Sequence, residues 1–137
     1  MIWSRPMRRS LLVCLSVLLA IGGAALAADD IGGTYVGDYT NKAGKSGRYQ
    51  LTLTPADGRW TGEVLAVLDG QETRSPMTSL MVRGDTIEAA YDFEVKGHKA
   101  SSRITGKKTS EILSGTFETL YKGKVVDTGT WKTSLKK

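Results

Sequence analysis

The sequence is poor in the residues that form disulfides, bind metals or interrupt strands. It contains one cysteine, one histidine and three prolines among 137 residues. Because Cys14 lies in an apolar segment near the N-terminus, the rest of the chain has no disulfide and depends on a hydrophobic core. Neither a His/Cys zinc cluster nor an acidic loop with calcium-binding spacing is present. We predict no metal site and no cofactor.

Patterns typical of catalysis are also missing. No serine stands in a recognisable nucleophile elbow, and the only histidine, His98, follows Gly97 in a predicted hairpin turn, where it would be solvated. Asp92 and Glu94 alternate with apolar residues, so they are predicted to face solvent rather than to form an acid–base pair. We predict no catalytic residues and no enzyme activity.

The first 27 residues have the organisation of a secretory signal peptide. Three arginines between residues 5 and 9 precede the apolar run Leu11 to Ile21, and Ala25-Leu26-Ala27 supplies small residues for cleavage after Ala27. The alternative is a membrane anchor, but the apolar run is shorter than the roughly 20 residues that a spanning helix needs. We predict a periplasmic or secreted protein with no transmembrane segment in its mature chain.

Removal of the leader changes the charge balance. The whole chain has 19 basic and 14 acidic residues, and three of the basic residues but none of the acidic ones lie in the leader. The mature chain therefore has 16 basic against 14 acidic residues, a net charge of +2. Lys107-Lys108 and Lys136-Lys137 are isolated pairs without interleaved aromatic residues. This pattern does not support nucleic-acid binding, which requires many cations on one face.

Alternation of apolar and polar residues dominates the mature chain. It is clearest from Thr86 to Val95, where Ile87, Ala89 and Tyr91 alternate with polar residues, as in a strand buried on one face. The same reasoning predicts about eight strands: Gly33 to Asn41, Arg48 to Pro55, Arg59 to Leu68, Met77 to Arg83, Thr86 to Val95, His98 to Lys107, Ile112 to Tyr121 and Val125 to Leu135. No segment has helical periodicity.

Short glycine-containing turns connect these strands. The turns at Asp57-Gly58, Asp69-Gly70, Gly84-Asp85, Lys96-Gly97 and Lys122-Gly123 suit tight hairpins, which join antiparallel neighbours. Residues 28–137 lack a linker and have the length of a single domain. We predict an all-β domain, an up-and-down antiparallel barrel of about eight strands, since closure removes exposed edges. An open β-sandwich is the alternative.

Glycines also occur inside the predicted strands, where they are intrinsically unfavourable. Gly62, Gly106, Gly115 and Gly129 each stand beside a threonine or serine in a short recurring pattern. Such glycines indicate a bend, a bulge or a close approach of another part of the chain.

The mature chain resembles the calycin group, the lipocalins and avidins, and especially the short lipocalin-like domains exported by bacteria. The resemblance lies in Gly33-Thr34-Tyr35 at the start of the first strand, the hairpin-linked strands, and Gly129-Thr130-Trp131 in the last strand. It implies a closed barrel that holds a small apolar ligand in its interior or mouth. The chain differs at Tyr35, where the family usually has tryptophan, and at Gly37, where avidins have the asparagine associated with biotin.

An eight-stranded barrel is wide enough either to be filled by side chains or to hold one small ligand. The predicted inward side chains are those of Tyr35, Tyr39, Tyr49, Leu51, Leu53, Trp60, Val64, Ile87, Ala89, Tyr91, Phe93, Phe117, Trp131 and Leu135. From this set we predict that the ligand-binding residues are Tyr35, Tyr39, Trp60, Tyr91, Phe93, Phe117 and Trp131.

The alternative function is a structural or protein-interaction module with a packed interior and no ligand. In that case the surface residues Leu65, Val67, Leu80 and Val82 would contact a partner or a second copy in a homo-oligomer.

Overall fold

The structure, a computed structural model, describes residues 31–137, all of which belong to an all-β architecture. The predicted leader, residues 1–27, lies outside the described residues. Eight strands follow one another along the chain: β1 (Gly33–Asn41), β2 (Ser46–Ala56), β3 (Arg59–Leu68), β4 (Gln71–Arg83), β5 (Thr86–Val95), β6 (His98–Thr109), β7 (Ile112–Tyr121) and β8 (Lys124–Leu135). Every predicted strand is confirmed, and the largest difference is at β4, which starts six residues before Met77.

The strands form a closed antiparallel barrel in which each strand pairs with its neighbours in sequence. The ring closes between β1 and β8, whose register runs from Tyr35 opposite Leu135 to Asn41 opposite Gly129. The predicted up-and-down barrel is therefore confirmed, and the open sandwich was the wrong alternative. Closure pairs the backbone N–H and C=O groups of β1 with those of β8. In an open sheet these edge groups would have no partner.

The predicted glycine turns have the backbone geometry that tight hairpins need. Gly58, Gly70, Gly84, Gly97 and Gly123 all have positive φ angles. In three of these turns the preceding residue also has positive φ: Asp69 at 49°, Lys96 at 50° and Lys122 at 53°. Two consecutive positive φ values match the right-handed twist of the flanking strands. The β6–β7 turn has no glycine and places Ser110 at a φ of 59° instead.

The inward face forms one hydrophobic cluster. All fourteen side chains predicted to point inward either belong to the buried core or pack against it. Four further apolar side chains in the buried core were not predicted: Ile31, Ala66, Ile104 and Leu113. Leu113 and Ile104 lie in strands whose alternation is obscured by serine, threonine and glycine, so their periodicity was hard to recognise.

A β-bulge in β4 corrects one sequence prediction. Met77 pairs with Tyr91 and Ser79 with Ala90, so Thr78 is an extra residue without an opposite partner. The extra residue shifts the alternation, and Leu80 and Val82 therefore pack against the core. Their prediction as surface docking residues was wrong. Leu65 and Val67 are half-buried in β3, where they alternate with the inward residues Val64 and Ala66.

The glycines inside strands mark close approaches, as predicted. Gly106 in β6 lies opposite Gly115 in β7, and Gly115 lies opposite Trp131 in β8. A Cβ atom on Gly106 would be 2.6 Å from the Trp131 ring, and one on Gly115 would overlap the backbone oxygen of Thr105. Gly106 therefore provides the space for the Trp131 ring, and Gly115 allows the close approach of the β6 backbone.

The outer face is polar and carries cross-strand ion pairs. Arg74 contacts Glu63 at 2.6 Å, and Arg103 contacts Glu118 at 3.3 Å, in both cases between neighbouring strands. Such exposed pairs contribute little to stability, typically about 0–1 kcal/mol. Glu88, Asp92 and Glu94 are exposed on β5, as predicted. Within residues 31–137 there is no helix with the length and hydropathy needed to cross a bilayer.

Candidate functional site

The two ends of the barrel differ in packing. One end, here called the closed end, carries the β2–β3, β4–β5 and β6–β7 turns together with Ile31, just before β1. Ile31 is buried, and its carbonyl oxygen accepts a hydrogen bond of 2.9 Å from the Tyr35 hydroxyl. Buried side chains from seven of the eight strands fill this end: Tyr35, Leu51, Leu53, Val64, Ile87, Ile104, Leu113 and Trp131.

The opposite end, here called the open end, contains a cavity of about 640 Å³. It is bordered by the last inward residues of β1, β3, β5 and β7 and the first inward residues of β2, β4, β6 and β8. The apolar part of the lining consists of Tyr39, Tyr49, Ala66, Leu68, Tyr91, Phe93, Val95, Ala100, Phe117 and Val126. The interior is thus packed at one end and hollow at the other.

Hydroxyl groups from three strands meet at the inner end of the cavity. The Tyr49 and Tyr91 hydroxyl oxygens are 3.0 Å apart, and the Ser102 hydroxyl donates a 3.2 Å hydrogen bond to the backbone oxygen of Glu118. Burial raises the pKa of Tyr49 well above its ordinary value, and the adjacent Tyr91 adds to the effect. Burial also raises the pKa of Tyr91, although its hydrogen bonds with Tyr49 and Ser102 oppose the shift. Both phenols are therefore neutral at physiological pH.

Tyr39 forms part of the wall near the mouth of the cavity. Its hydroxyl donates a 2.9 Å hydrogen bond to the backbone oxygen of Val67, across the ring from β1 to β3. Its ring makes edge-to-face contacts with Tyr49 and Phe117, with centroid distances of 5.9 and 6.0 Å. Burial raises the pKa of Tyr39, and the carboxylates of Asp69 and Asp127 contribute because negative charge opposes ionisation of the phenol.

Polar and charged groups line the mouth. Asp69, Lys96 and Asp127 come from three different hairpins, and Asp127 accepts a 3.2 Å hydrogen bond from Asn41. His98 is exposed, as predicted, and its Nδ1 lies 3.4 Å from the Tyr121 hydroxyl, with the two rings edge to face. An apolar interior with a polar rim is the usual arrangement of a small-molecule site.

The structure divides the seven predicted ligand-binding residues between the two ends. Tyr39, Tyr91, Phe93 and Phe117 line the cavity. Tyr35 and Trp131 are buried in the packing of the closed end, and Trp60 is half-buried beside it. These three belong to the packed core and do not line the cavity. Alternation reports which side chains point inward, but it carries no information about which end of the barrel is hollow.

Several lining residues were not predicted as part of a site, notably Ala66, Ala100, Ser102, Thr119 and Tyr121. Each is an inward residue close to a turn at the open end. In an up-and-down barrel, alternate turns lie at the same end, so inward residues beside alternate turns must be neighbours. That topological rule, applied to the sequence, would have identified them.

The described residues offer little support for metal chemistry. Among residues 31–137, no three His, Cys, Asp or Glu side chains are grouped so that they could hold a metal ion. Comparison of the chain with known proteins found no matching family model and no significantly similar curated protein. The geometry of the open end is therefore the main guide to function.

Proposed function

We propose that this protein is exported and binds a small apolar molecule in the cavity at the open end of its barrel. The observation that supports this proposal best is the cavity itself, about 640 Å³ in volume and lined mainly by aromatic and aliphatic side chains. Small-molecule sites typically measure about 300–1,000 Å³ and combine apolar walls with a few polar groups. Burial of apolar ligand surface would supply about 25 cal/mol per Å² as the driving force.

The packing of the closed end supports a role for the cavity. Buried side chains, Ile31 and Trp131 among them, fill the closed end of the interior. The fold can therefore be stable without side chains that fill the open end. The closed eight-stranded ring is also compatible with the resemblance to lipocalin-like domains. We include a calycin-type relationship, and a periplasmic or secreted location, in the proposal.

Binding can be tested with a neutral lipophilic fluorophore, N-phenyl-1-naphthylamine, added to protein purified after expression of the full sequence. We expect saturable fluorescence enhancement and an increase in melting temperature, because a ligand that binds only the folded state stabilises it. The Ala100→Phe variant should weaken binding, since Ala100 lines the cavity.

The matched control is Ala90→Phe, which adds the same ring to the outer face of β5, between the inward residues Ala89 and Tyr91. It should bind the fluorophore as the unaltered protein does. Binding that is absent, or equally weakened by both substitutions, would contradict the proposed site.

An interaction module receives less support from the structure. Two of the four predicted docking residues, Leu80 and Val82, pack on the core. Among residues 31–137 the large hydrophobic side chains that are exposed are Met81, Val125 and Val126, and Val126 borders the cavity. Light scattering of the purified protein would test for self-association. Only the interaction-module alternative predicts a stable dimer.

A further inference from the structure

The turns at the open end give the mouth of the cavity a basic side and an acidic side. The β3–β4 turn carries the exposed acids Asp69 and Glu72. The β1–β2, β5–β6 and β7–β8 turns, with the strand positions beside them, carry exposed lysines: Lys42, Lys45, Lys96, Lys99, Lys122 and Lys124. Because β8 pairs with β1 as well as with β7, the β7–β8 turn lies between the other two basic turns. The three basic turns therefore form one continuous side of the mouth, here called the basic side.

The lysines of the basic side outnumber its acidic residues. The three segments that form it, residues 41–46, 94–99 and 121–127, contain six lysines against two acids, Glu94 and Asp127. Their net charge is +4, whereas the net charge of residues 28–137 is only +2. Positive charge is thus concentrated beside the mouth of the cavity.

The middle of the basic side also carries an exposed apolar pair. Among residues 31–137, the exposed large hydrophobic side chains include Val125 and Val126, which are 49% and 58% exposed. Thr119 pairs with Asp127 and Leu120 pairs with Val125, so Val126 is an extra residue without an opposite partner. Such a bulge redirects the side chains around it. Since Val126 also borders the cavity, the two valines form an apolar tip at the edge of the mouth.

Two lysines flank this apolar tip in the same hairpin. Lys122 and Lys124 are exposed on either side of Gly123, and the Lys122 Nζ lies 5.4 Å from the centroid of the Tyr121 ring. A lysine can lay its aliphatic stem along apolar surface while its ammonium group stays among polar groups. Exposed apolar side chains next to cations are the combination by which proteins bind the surface of an anionic bilayer.

We propose that the basic side of the open end docks on a bilayer that contains anionic phospholipids, with Val125 and Val126 among the lipid headgroups. An acidic protein fits this surface less well, because a protein interface usually needs about 800 Å² of closely matched surface on each partner. Here the surface borders the mouth of a cavity, which a deformable lipid surface can cover without a matching shape.

Docking in this orientation would turn the mouth of the cavity toward the bilayer. An apolar ligand would then pass between the lipid and the cavity without crossing water. Membrane docking goes beyond the proposed function and does not depend on it, whereas ligand transfer rests on both.

The test is sedimentation of the protein, purified after expression of the full sequence, with sucrose-loaded vesicles. One set is phosphatidylcholine alone, and the other is an equimolar mixture of phosphatidylcholine and phosphatidylglycerol. We expect binding to the anionic vesicles only, and its loss at high salt, because the screening length falls from about 10 Å at 0.1 M to about 3 Å at 1 M. Equal binding to both sets, or none to either, would overturn the inference; the second result is expected if the surface serves an acidic protein instead.

Lys122→Gln/Lys124→Gln should weaken binding to the anionic vesicles by about fivefold for each lysine, the factor that corresponds to about 1 kcal/mol per cation near such a surface. The matched control is Lys136→Gln/Lys137→Gln, which removes the same charge from exposed residues at the closed end. It should bind largely as the unaltered protein does, because the closed end lies farther from the docked surface than the screening length of about 10 Å. Equal weakening by the two pairs would overturn the assignment of the basic side.

Val125→Ser tests the apolar tip and should also lower binding to the anionic vesicles. Its control is Met81→Ser, which removes an exposed apolar side chain from β4, outside the β7–β8 hairpin. A Val125→Ser variant that bound as tightly as Met81→Ser would overturn the role of the hairpin as the docking element.

The fluorophore separates this inference from the proposed function. Without vesicles, Lys122→Gln/Lys124→Gln should bind N-phenyl-1-naphthylamine as the unaltered protein does. Fluorophore binding without vesicle binding would contradict membrane docking alone. Vesicle binding without fluorophore binding would instead contradict the proposed function.

Discussion

Tyr39, Tyr49 and Tyr91 show how single residues join the packed and hollow parts of the barrel. Each has a ring in contact with the core and a hydroxyl that is bonded within the protein. Unpaired, a buried hydroxyl would cost about 1–3 kcal/mol. No buried side-chain nitrogen or oxygen among the described residues lacks a hydrogen-bond partner.

The raised pKa values of these tyrosines predict a loss of stability in alkali. Above pH 10.0, the ordinary value, the unfolded chain releases phenol protons that the folded barrel retains. The contribution of these tyrosines to the free energy of unfolding is therefore fully present below about pH 10 and falls above it, by at most about 1.4 kcal/mol per pH unit for each shifted tyrosine. Urea unfolding at pH 8, 10 and 11 measures the slope.

The Tyr49→Phe/Tyr91→Phe variant should have a shallower slope, because it removes two of the three shifted groups. Lysines that titrate in the same range are common to both proteins and cancel in the difference. Identical slopes would show that burial does not hold the protons of these phenols.

Among the strands, β4 shows how one residue determines which side chains reach the core. Before the unpaired Thr78 the inward residues of β4 are Ser75 and Met77, and after it they are Leu80 and Val82. Its hydroxyl donates a 3.1 Å hydrogen bond to the backbone oxygen of Ala90, which fixes the bulge to β5. The bulge therefore keeps Met81 and Arg83 on the outside.

Deletion of Thr78 should leave the barrel folded, because regular alternation then runs from Met77 to Leu80 and Val82 without a bulge and keeps both side chains inward. Thr78→Ala is the control: it keeps the extra residue, loses one hydrogen bond and should cost only about 1 kcal/mol. Circular dichroism and urea unfolding distinguish the two variants. A deletion variant that failed to fold would show that Thr78 does more than occupy the extra position between Met77 and Ser79.

On the scale of the whole molecule, stability and binding belong to different ends. Leu113, at the closed end, is fully buried, whereas Phe93 is half-buried at the open end and lines the cavity. Leu113→Ala should lower the free energy of unfolding by about 2–5 kcal/mol, the usual cost of a large-to-small change in a core. It should leave the affinity for N-phenyl-1-naphthylamine largely unaltered.

Phe93→Ala should have the opposite profile, with a smaller effect on unfolding and a marked loss of affinity. Unfolding in urea and fluorophore titration of both variants provide the comparison. If Phe93→Ala proved as destabilising as Leu113→Ala, the open end would have to be regarded as part of the structural core.

The sequence by itself determined the strands, their antiparallel order and most of their inward side chains, because alternation and glycine turns are local properties. Thr86–Val95 and its neighbours needed no tertiary information. Only the tertiary structure decided that Leu80 points inward and that Tyr35 and Trp131 are packed while Tyr39 and Phe117 border a cavity. A bulge needs a partner strand to define it, and the hollow end depends on how side chains from all eight strands fill a common space, which no single segment encodes.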